Sequence, residues 1–261
     1  MAGRHDEVVA DLRDESAELL DLLAPLDATG WGRPTPAAGW SIQDQVNHLA
    51  WFDEAAALAV TDPDEFRAGA LALAGEAADF PDVLVTRQRG MAHTASHGWF
   101  RSARAAYLEL AAATDGATRL PWYGVEMSMT SAVTARLMET WAHGQDVADA
   151  LGVQRVPTAR LRHVCHLGVA TRDHSFRLRG LPAPAADVAV ELSGPDGALW
   201  TWGSTSDGQR VSGPALDFCL LVTQRRHRAD TALVAEGDVA TAWLELAQAY
   251  AGAPGPGRRP Q

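Results

Sequence analysis

The sequence predicts a helical bundle followed by a smaller α+β unit. Three observations carry that reading. Apolar residues recur at roughly a 3.6-residue period through several long stretches up to Leu151. After Gly152 the composition shifts, with Gly and Pro clusters breaking up shorter segments. Two β-type runs, at 188–192 and 199–202, flank the turn signal Gly194-Pro195-Asp196-Gly197, as a hairpin requires. The expected division is a bundle over 1–153, an α+β domain over 154–251 and a disordered Pro/Gly/Arg-rich tail over 252–261.

Length and charge narrow the function classes. With 261 residues the chain can bury a substantial core as one large domain or two modest ones. The net charge of −11 gives no electrostatic help toward phosphate, and no basic stripe interrupts it, so no nucleic-acid partner is expected. All 22 basic side chains are Arg, which with heavy Ala and Gly usage suggests a GC-rich, actinobacterial genome. The two cysteines, Cys165 and Cys219, form no C-x-x-C pair, so a reducing cytoplasm is the expected compartment. No apolar run opens the chain and none reaches the roughly eighteen residues a membrane span needs, so neither a signal peptide nor a membrane partner is expected.

Each element has a local cause. Val8, Val9, Leu12, Leu19, Leu20, Leu22 and Leu23 give the first helix, over 5–26, its apolar stripe, and Pro25 closes it. Ser41 and Asp44 form a capping-box pattern that starts a second helix, running to about Val60 with Ile42, Val46, Leu49 and Phe52 on its core face. Residues 66–77 look helical, the stretch after Pro81 continues so, and a further helix is expected over 102–113. A loop at 120–124 then leads to a long helix over 131–151. In the second unit, helices are expected over 158–172, 214–223 and 238–251, with a third short strand at 209–212.

The chemistry concentrates on the long helix. Glu139 and His143 are four apart and therefore stand one turn above each other on one face. A carboxylate and an imidazole so placed can both reach one divalent metal, but a catalytic zinc site takes three protein ligands and an open position. His48 is the best candidate for the third. Two imidazoles and a carboxylate suit Zn²⁺, with Ni²⁺, Fe²⁺ and Mn²⁺ compatible in ligand type. Asp146 is a candidate to orient a ligand histidine from behind. By spacing alone, a solvated face with a local Glu–His pair accounts for the same residues. His93 and His97 are a rival pair, but Gly90 and Gly98 bracket them and favour a loop or helix end. His163, Cys165, His166 and His174 fall on different helix faces and read as a buried Cys among satisfied histidines. Trp40, Trp51, Trp122 and Trp141 could wall a pocket around the ligands or serve the core.

The segments Gly39-Trp40-Ser41-x-x-Asp44-x-x-x-His48-Leu49 and Glu139-Thr140-Trp141-x-His143-Gly144-x-Asp146-Val147 resemble the two metal-ligand motifs of mycothiol-dependent maleylpyruvate isomerases, within the DinB-like metal-binding superfamily. The resemblance covers nearly the whole chain and implies a DinB-like four-helix bundle followed by a sterol-carrier-like α+β domain. It implies zinc on His48, Glu139 and His143, mycothiol as a thiol cosubstrate near Trp40 and Trp141, and a catalytic arginine, Arg225 or Arg226, holding a substrate carboxylate. In the family a Gly precedes that arginine; here Gln224 replaces it. The implied activity is a thiol-using isomerase or S-transferase acting on a small electrophile, in a monomer or homodimer. A metal-dependent hydrolase, with Asp146 or Glu126 as base, and a non-catalytic metal-binding protein are the alternatives.

Overall fold

A computed structural model describes residues 3–76, 80–204, 207–255 and 257–260. It divides into two compact units, with the break after Arg155.

In the first unit, α1 (Arg4–Leu23) buries Val8, Val9, Leu12, Leu19 and Leu23, and a short α2 (Ala28–Trp31) is closed by Asp27, which accepts from the Gly30 N–H. The Ser41/Asp44 capping box forms and starts α3 (Ile42–Thr61). Pro63 occupies the first position of α4 (Pro63–Glu76), where its missing N–H costs nothing. Ala77, the expected end of that helix, lies outside the described residues. After α5 (Phe80–Gln88) comes α6 (His93–Ala113), then strands β1 (Arg119–Trp122) and β2 (Val125–Ser128), then α7 (Met129–Leu151). Ser128 caps α7, and Gly152, at φ 69°, ends it in the left-handed conformation open to glycine. Helices α1, α3, α6 and α7 pack as a four-helix bundle. Leu19, Leu23, Trp31, Ile42, Val46, Leu49, Phe100 and Val147 form its core.

Two expectations for this unit are corrected. Helix α6 begins at His93, not near Ser102: the N–H groups of Ala95 and Ser96 both bond to the Ala92 carbonyl. Gly98 therefore sits inside the helix, its propensity cost of about 1 kcal/mol offset by burial of Phe100 and Tyr107. The stretch at 120–124 is not a loop. It is the first arm of a hairpin that pairs Trp122 with Val125 across the two-residue turn Tyr123-Gly124, with Gly124 at φ 79°.

In the second unit, α8 (Leu161–Ala170) and α9 (Arg172–Arg177) replace the single helix expected over 158–172. Strands β3 (Ala189–Ser193), β4 (Leu199–Trp202), β5 (Arg210–Pro214) and β6 (Val234–Glu236) form one sheet in the order β4-β3-β5-β6. The expected hairpin pairs β3 with β4, whereas β3 and β5 run parallel. Helix α10 (Ala215–Val222) packs on α8, and α11 (Asp238–Leu246) follows β6. The last helix stops five residues short of the expected Ala251, because the chain turns extended at Ala247 and bonds elsewhere. Ala249 donates to the Val222 carbonyl at 2.8 Å, and the Gln248 N–H donates to Ser175 Oγ at 3.0 Å. Residues 252–255 and 257–260 carry neither helix nor strand; Pro256 and Gln261, in the expected tail, lie outside the described residues.

Candidate metal centre

Helix α3 brings His48, and α7 brings Glu139 and His143, to one point inside the bundle. One donor atom from each lies within 4.8 Å of the others. The Glu139 carboxylate sits between the imidazoles: its Oε2 is 3.1 Å from His143 Nε2 and 3.6 Å from His48 Nε2. The two imidazole centroids are 4.4 Å apart.

The hydrogen bonds behind the trio fix which atoms face inward. His143 Nδ1 bonds to Gln45 Oε1. An amide oxygen only accepts, so Nδ1 carries the proton and Nε2 presents a lone pair. Gln45 is itself held, since its Nε2 donates to Thr35 Oγ1 at 2.9 Å and that hydroxyl donates to the Trp40 carbonyl at 2.9 Å. His143 Nε2 and Glu139 Oε2 are then two acceptors face to face, a contact that needs a positive centre between them. Gln45 is fully buried and stands one helical turn before His48. The sequence reading missed it, although a polar residue at that spacing on a core-facing helix was the available signal.

Burial and charge set the protonation states a metal requires. His48 is pushed down to about 4, first by burial and then by His143, with Glu139 only partly opposing. Burial pushes Glu139 up, but the close approach of the His143 and His48 rings to its carboxylate outweighs it and holds the carboxyl well below its usual range. Neutral imidazole and ionised carboxylate are the ligand forms. Two imidazoles and one carboxylate thus fit a divalent cation of the zinc type.

Aromatic rings wall the trio. Trp40 stacks on His143 with centroids 6.0 Å apart and tilts against His48 at 5.4 Å. Its Nε1 donates to Asp82 at 2.6 Å, which fixes the ring. Phe52 covers the other side of His48 at 4.6 Å. Among the described residues, His48 Nδ1 and both amide atoms of the neighbouring Asn47 have no hydrogen-bond partner. Each buried polar atom left so costs about 1–3 kcal/mol.

A second buried cluster braces the same helices. Asp53 on α3 accepts from Arg104 of α6 at 2.7 Å and from Arg136 of α7 at 2.9 Å. Arg104 also reaches Thr140, and Arg136 reaches the Leu49 carbonyl. This network was not anticipated from sequence, because its three charges lie on three separate helices.

The other candidates fall as follows. Asp146 is fully buried on α7. At about 100° per residue, Trp141 lies roughly 200° around α7 from Glu139. It is buried there. Glu126 is exposed on β2 and lies 3.7 Å from Arg67. His93 and His97 are helical and pack against Trp31, tilted at 6.2 Å and edge-on at 5.9 Å. Among the described residues, the histidines around Cys165 form no three-donor group with it, and Cys165 Sγ meets Cys219 Sγ at 3.4 Å. In the second unit, Arg225 donates to the Thr223 carbonyl at 2.7 Å and Arg226 to the Arg225 carbonyl at 2.8 Å. Gln224, which replaces the family Gly, adopts φ 58° just past α10. The Gln224 N–H bonds to the Leu221 carbonyl and the Arg225 N–H to the Leu220 carbonyl, the Schellman pattern that usually selects glycine. Tyr250 donates to the Gln224 side chain at 2.6 Å and helps hold it there.

A four-helix bundle followed by an α+β unit is the DinB-like architecture, and in this chain its facing helices converge two imidazoles and a carboxylate into a candidate metal site. The chain belongs to the family described as the mycothiol maleylpyruvate isomerase N-terminal domain, whose model matches residues 12–148. A second model, described as wyosine base formation, matches residues 185–236, the stretch that holds the sheet. Two relatives from Mycobacterium tuberculosis are each 49% identical over 251 residues, covering 96% of this chain and 97% of theirs. They are the uncharacterized proteins MT0041 of strain CDC 1551 and Rv0036c of strain H37Rv. Crystal structures of the mycothiol-dependent maleylpyruvate isomerase and of a mutant of it match with a TM-score of 0.61 at 15% identity, covering 90% of this chain and 95% of theirs. That likeness shows a shared fold. Among the described residues no helix is long and apolar enough to cross a membrane.

Proposed function

We propose that this protein is a cytoplasmic, zinc-dependent enzyme that uses mycothiol to isomerise a small electrophilic substrate or to join mycothiol to it through a thioether. The observation that carries the reading is the inward convergence of His48, Glu139 and His143, with Gln45 fixing the His143 tautomer. Family membership supports mycothiol as the thiol. His48, Glu139 and His143 would hold a divalent ion, which would supply the deprotonation of a ligating thiol that is otherwise only a few per cent thiolate at neutral pH. Gln45 holds the ligand lone pair in place, and Trp40 and Phe52 pack against the imidazole rings. Asp146 is assigned a supporting role behind the ligands. Arg225 or Arg226 is assigned to a substrate carboxylate, in line with the family resemblance.

Elemental analysis together with mycothiol titration tests the reading. One zinc per chain and saturable thiol binding are expected. Zinc with no thiol binding would replace this reading with a hydrolase or a metal-binding protein. Arg225→Ala and Arg226→Ala should keep zinc, and one of them should lose turnover; full activity in both would remove the arginines from the reaction.

A further inference from the structure

The two imidazoles of the metal centre are held by different means. His143 is fixed by a hydrogen bond from its Nδ1 to Gln45. A metal-ligating histidine is ordinarily steered in this way, by a bond at the ring nitrogen away from the metal. His48 turns Nε2 toward Glu139, and its Nδ1 has no hydrogen-bond partner among the described residues. Rings take the place of that bond. Trp40 stands on one side of the imidazole, with centroids 5.4 Å apart. Phe52, one helical turn after His48 on α3, stands on the other at 4.6 Å and a 49° tilt.

Phe52 is in turn held from outside its own helix. The β1–β2 hairpin sets Trp122 at 6.1 Å from it and Tyr123, edge-on, at 5.9 Å. Both rings are braced from behind: Trp122 stacks on Phe66 of α4 at 5.6 Å, and Tyr123 meets Phe80 of α5 at 5.0 Å. Tilted, offset and edge-on contacts at these separations are the favoured arrangements of aromatic pairs. The cavity between the hairpin, α3 and α7 measures only about 10 Å³, room for about one water. What the hairpin supplies here is ring packing, not a pocket for a ligand.

We propose that the β1–β2 hairpin is a positioning element of the metal centre: Trp122 and Tyr123 hold Phe52, and Phe52 holds the His48 imidazole with Nε2 turned toward the other two ligands. The inference rests on the metal-binding part of the proposed function. It adds residues outside the four packed helices that govern metal affinity without supplying a ligand.

Zinc affinity by chelator competition tests it, with the visible spectrum of cobalt-substituted protein as the report on ligand geometry. Phe52→Leu keeps an apolar side chain but removes the ring; it should weaken zinc about tenfold and shift the cobalt bands. Tyr123→Ala should do the same to a smaller degree, and Tyr123→Phe, which keeps the ring, should match the wild type. Because the hairpin acts through Phe52, Tyr123→Ala should cost nothing further in Phe52→Leu. Should Phe52→Leu fail to fold, the two Tyr123 variants, at a half-buried hairpin tip, carry the test. Wild-type affinity and an unchanged cobalt spectrum in Phe52→Leu and Tyr123→Ala overturn the positioning role while leaving the metal site intact. So do losses that simply add in the double variant, and so does an equal loss in Tyr123→Ala and Tyr123→Phe, which would assign the effect to the hydroxyl. A wild-type protein that binds neither zinc nor cobalt overturns the proposed function and this inference with it.

Discussion

Two buried charged clusters share α3, five residues apart, and they are built on opposite principles. Around Asp53 both carboxylate oxygens accept from guanidinium groups, and the arginines spend further donors on Thr140 and the Leu49 carbonyl. Around Glu139 one carboxylate oxygen faces two imidazole nitrogens, His48 Nδ1 is left without a partner, and so is the neighbouring Asn47 amide. The first cluster is complete and ties three helices together. The second leaves polar atoms without a protein partner among the described residues. The pair teaches where to look for chemistry in such a bundle: at the polar group whose bonds are unfinished, not at the most charged one.

The contrast can be broken by substitution, beginning with the largest effect. Asp53→Ala strands two buried guanidinium groups and should cost about 3–5 kcal/mol of stability, read as a collapse of the thermal transition in the metal-free protein. A loss under about 1 kcal/mol would show that the Asp53 network does not hold the bundle. His143→Ala should do the reverse: zinc per chain falls from one to near none, while the metal-free protein stays folded. Retained stoichiometric zinc in that variant would refute the three-ligand assignment.

A smaller effect follows from His48. Its folded-state value of about 4 lies below the ordinary 6.5, so the unfolded chain takes up the proton first as pH falls. Its contribution is present above about pH 6.5 and is lost on descending toward about pH 4, amounting to about 3 kcal/mol. Urea unfolding of metal-free protein should show this decline, and His48→Gln should flatten it; an equal slope in both would assign the titration elsewhere. The smallest effect is expected at Gln45. Gln45→Leu removes the acceptor that fixes the His143 tautomer and should weaken zinc about 10- to 100-fold in chelator competition, with the fold kept. Unchanged affinity would mean that the ring is oriented by other contacts.

Much of this was legible in the chain. The Ser41/Asp44 box starts α3 because its chemistry is local, and the same holds for the β3–β4 turn at Gly194–Gly197. Glu139 and His143 were legible because four residues is one helical turn. His48 was reached by pairing its motif with theirs, since spacing alone cannot join residues 91 positions apart in sequence. What was hidden depends on helices meeting. Gln45 touches His143 across 98 residues, and Asp53 touches Arg104 and Arg136 across 51 and 83. The parallel pairing of β3 with β5 was equally silent, because a strand pattern does not name its neighbour. Gly98 and Pro121 misled by composition: packing carries α6 through the glycine, and Pro121 sits in a hairpin arm of only two strands.

The most direct test of the central claim is zinc K-edge X-ray absorption on the zinc-loaded protein, before and after mycothiol is added. The expected first spectrum is a shell of nitrogen and oxygen at about 2.0–2.2 Å with the signature of two imidazoles and no sulfur. Mycothiol should then add one sulfur at about 2.3 Å. Sulfur present before the thiol is added would move the metal to the Cys165–Cys219 pair, and a spectrum that mycothiol leaves unchanged would contradict thiol ligation at His48, Glu139 and His143.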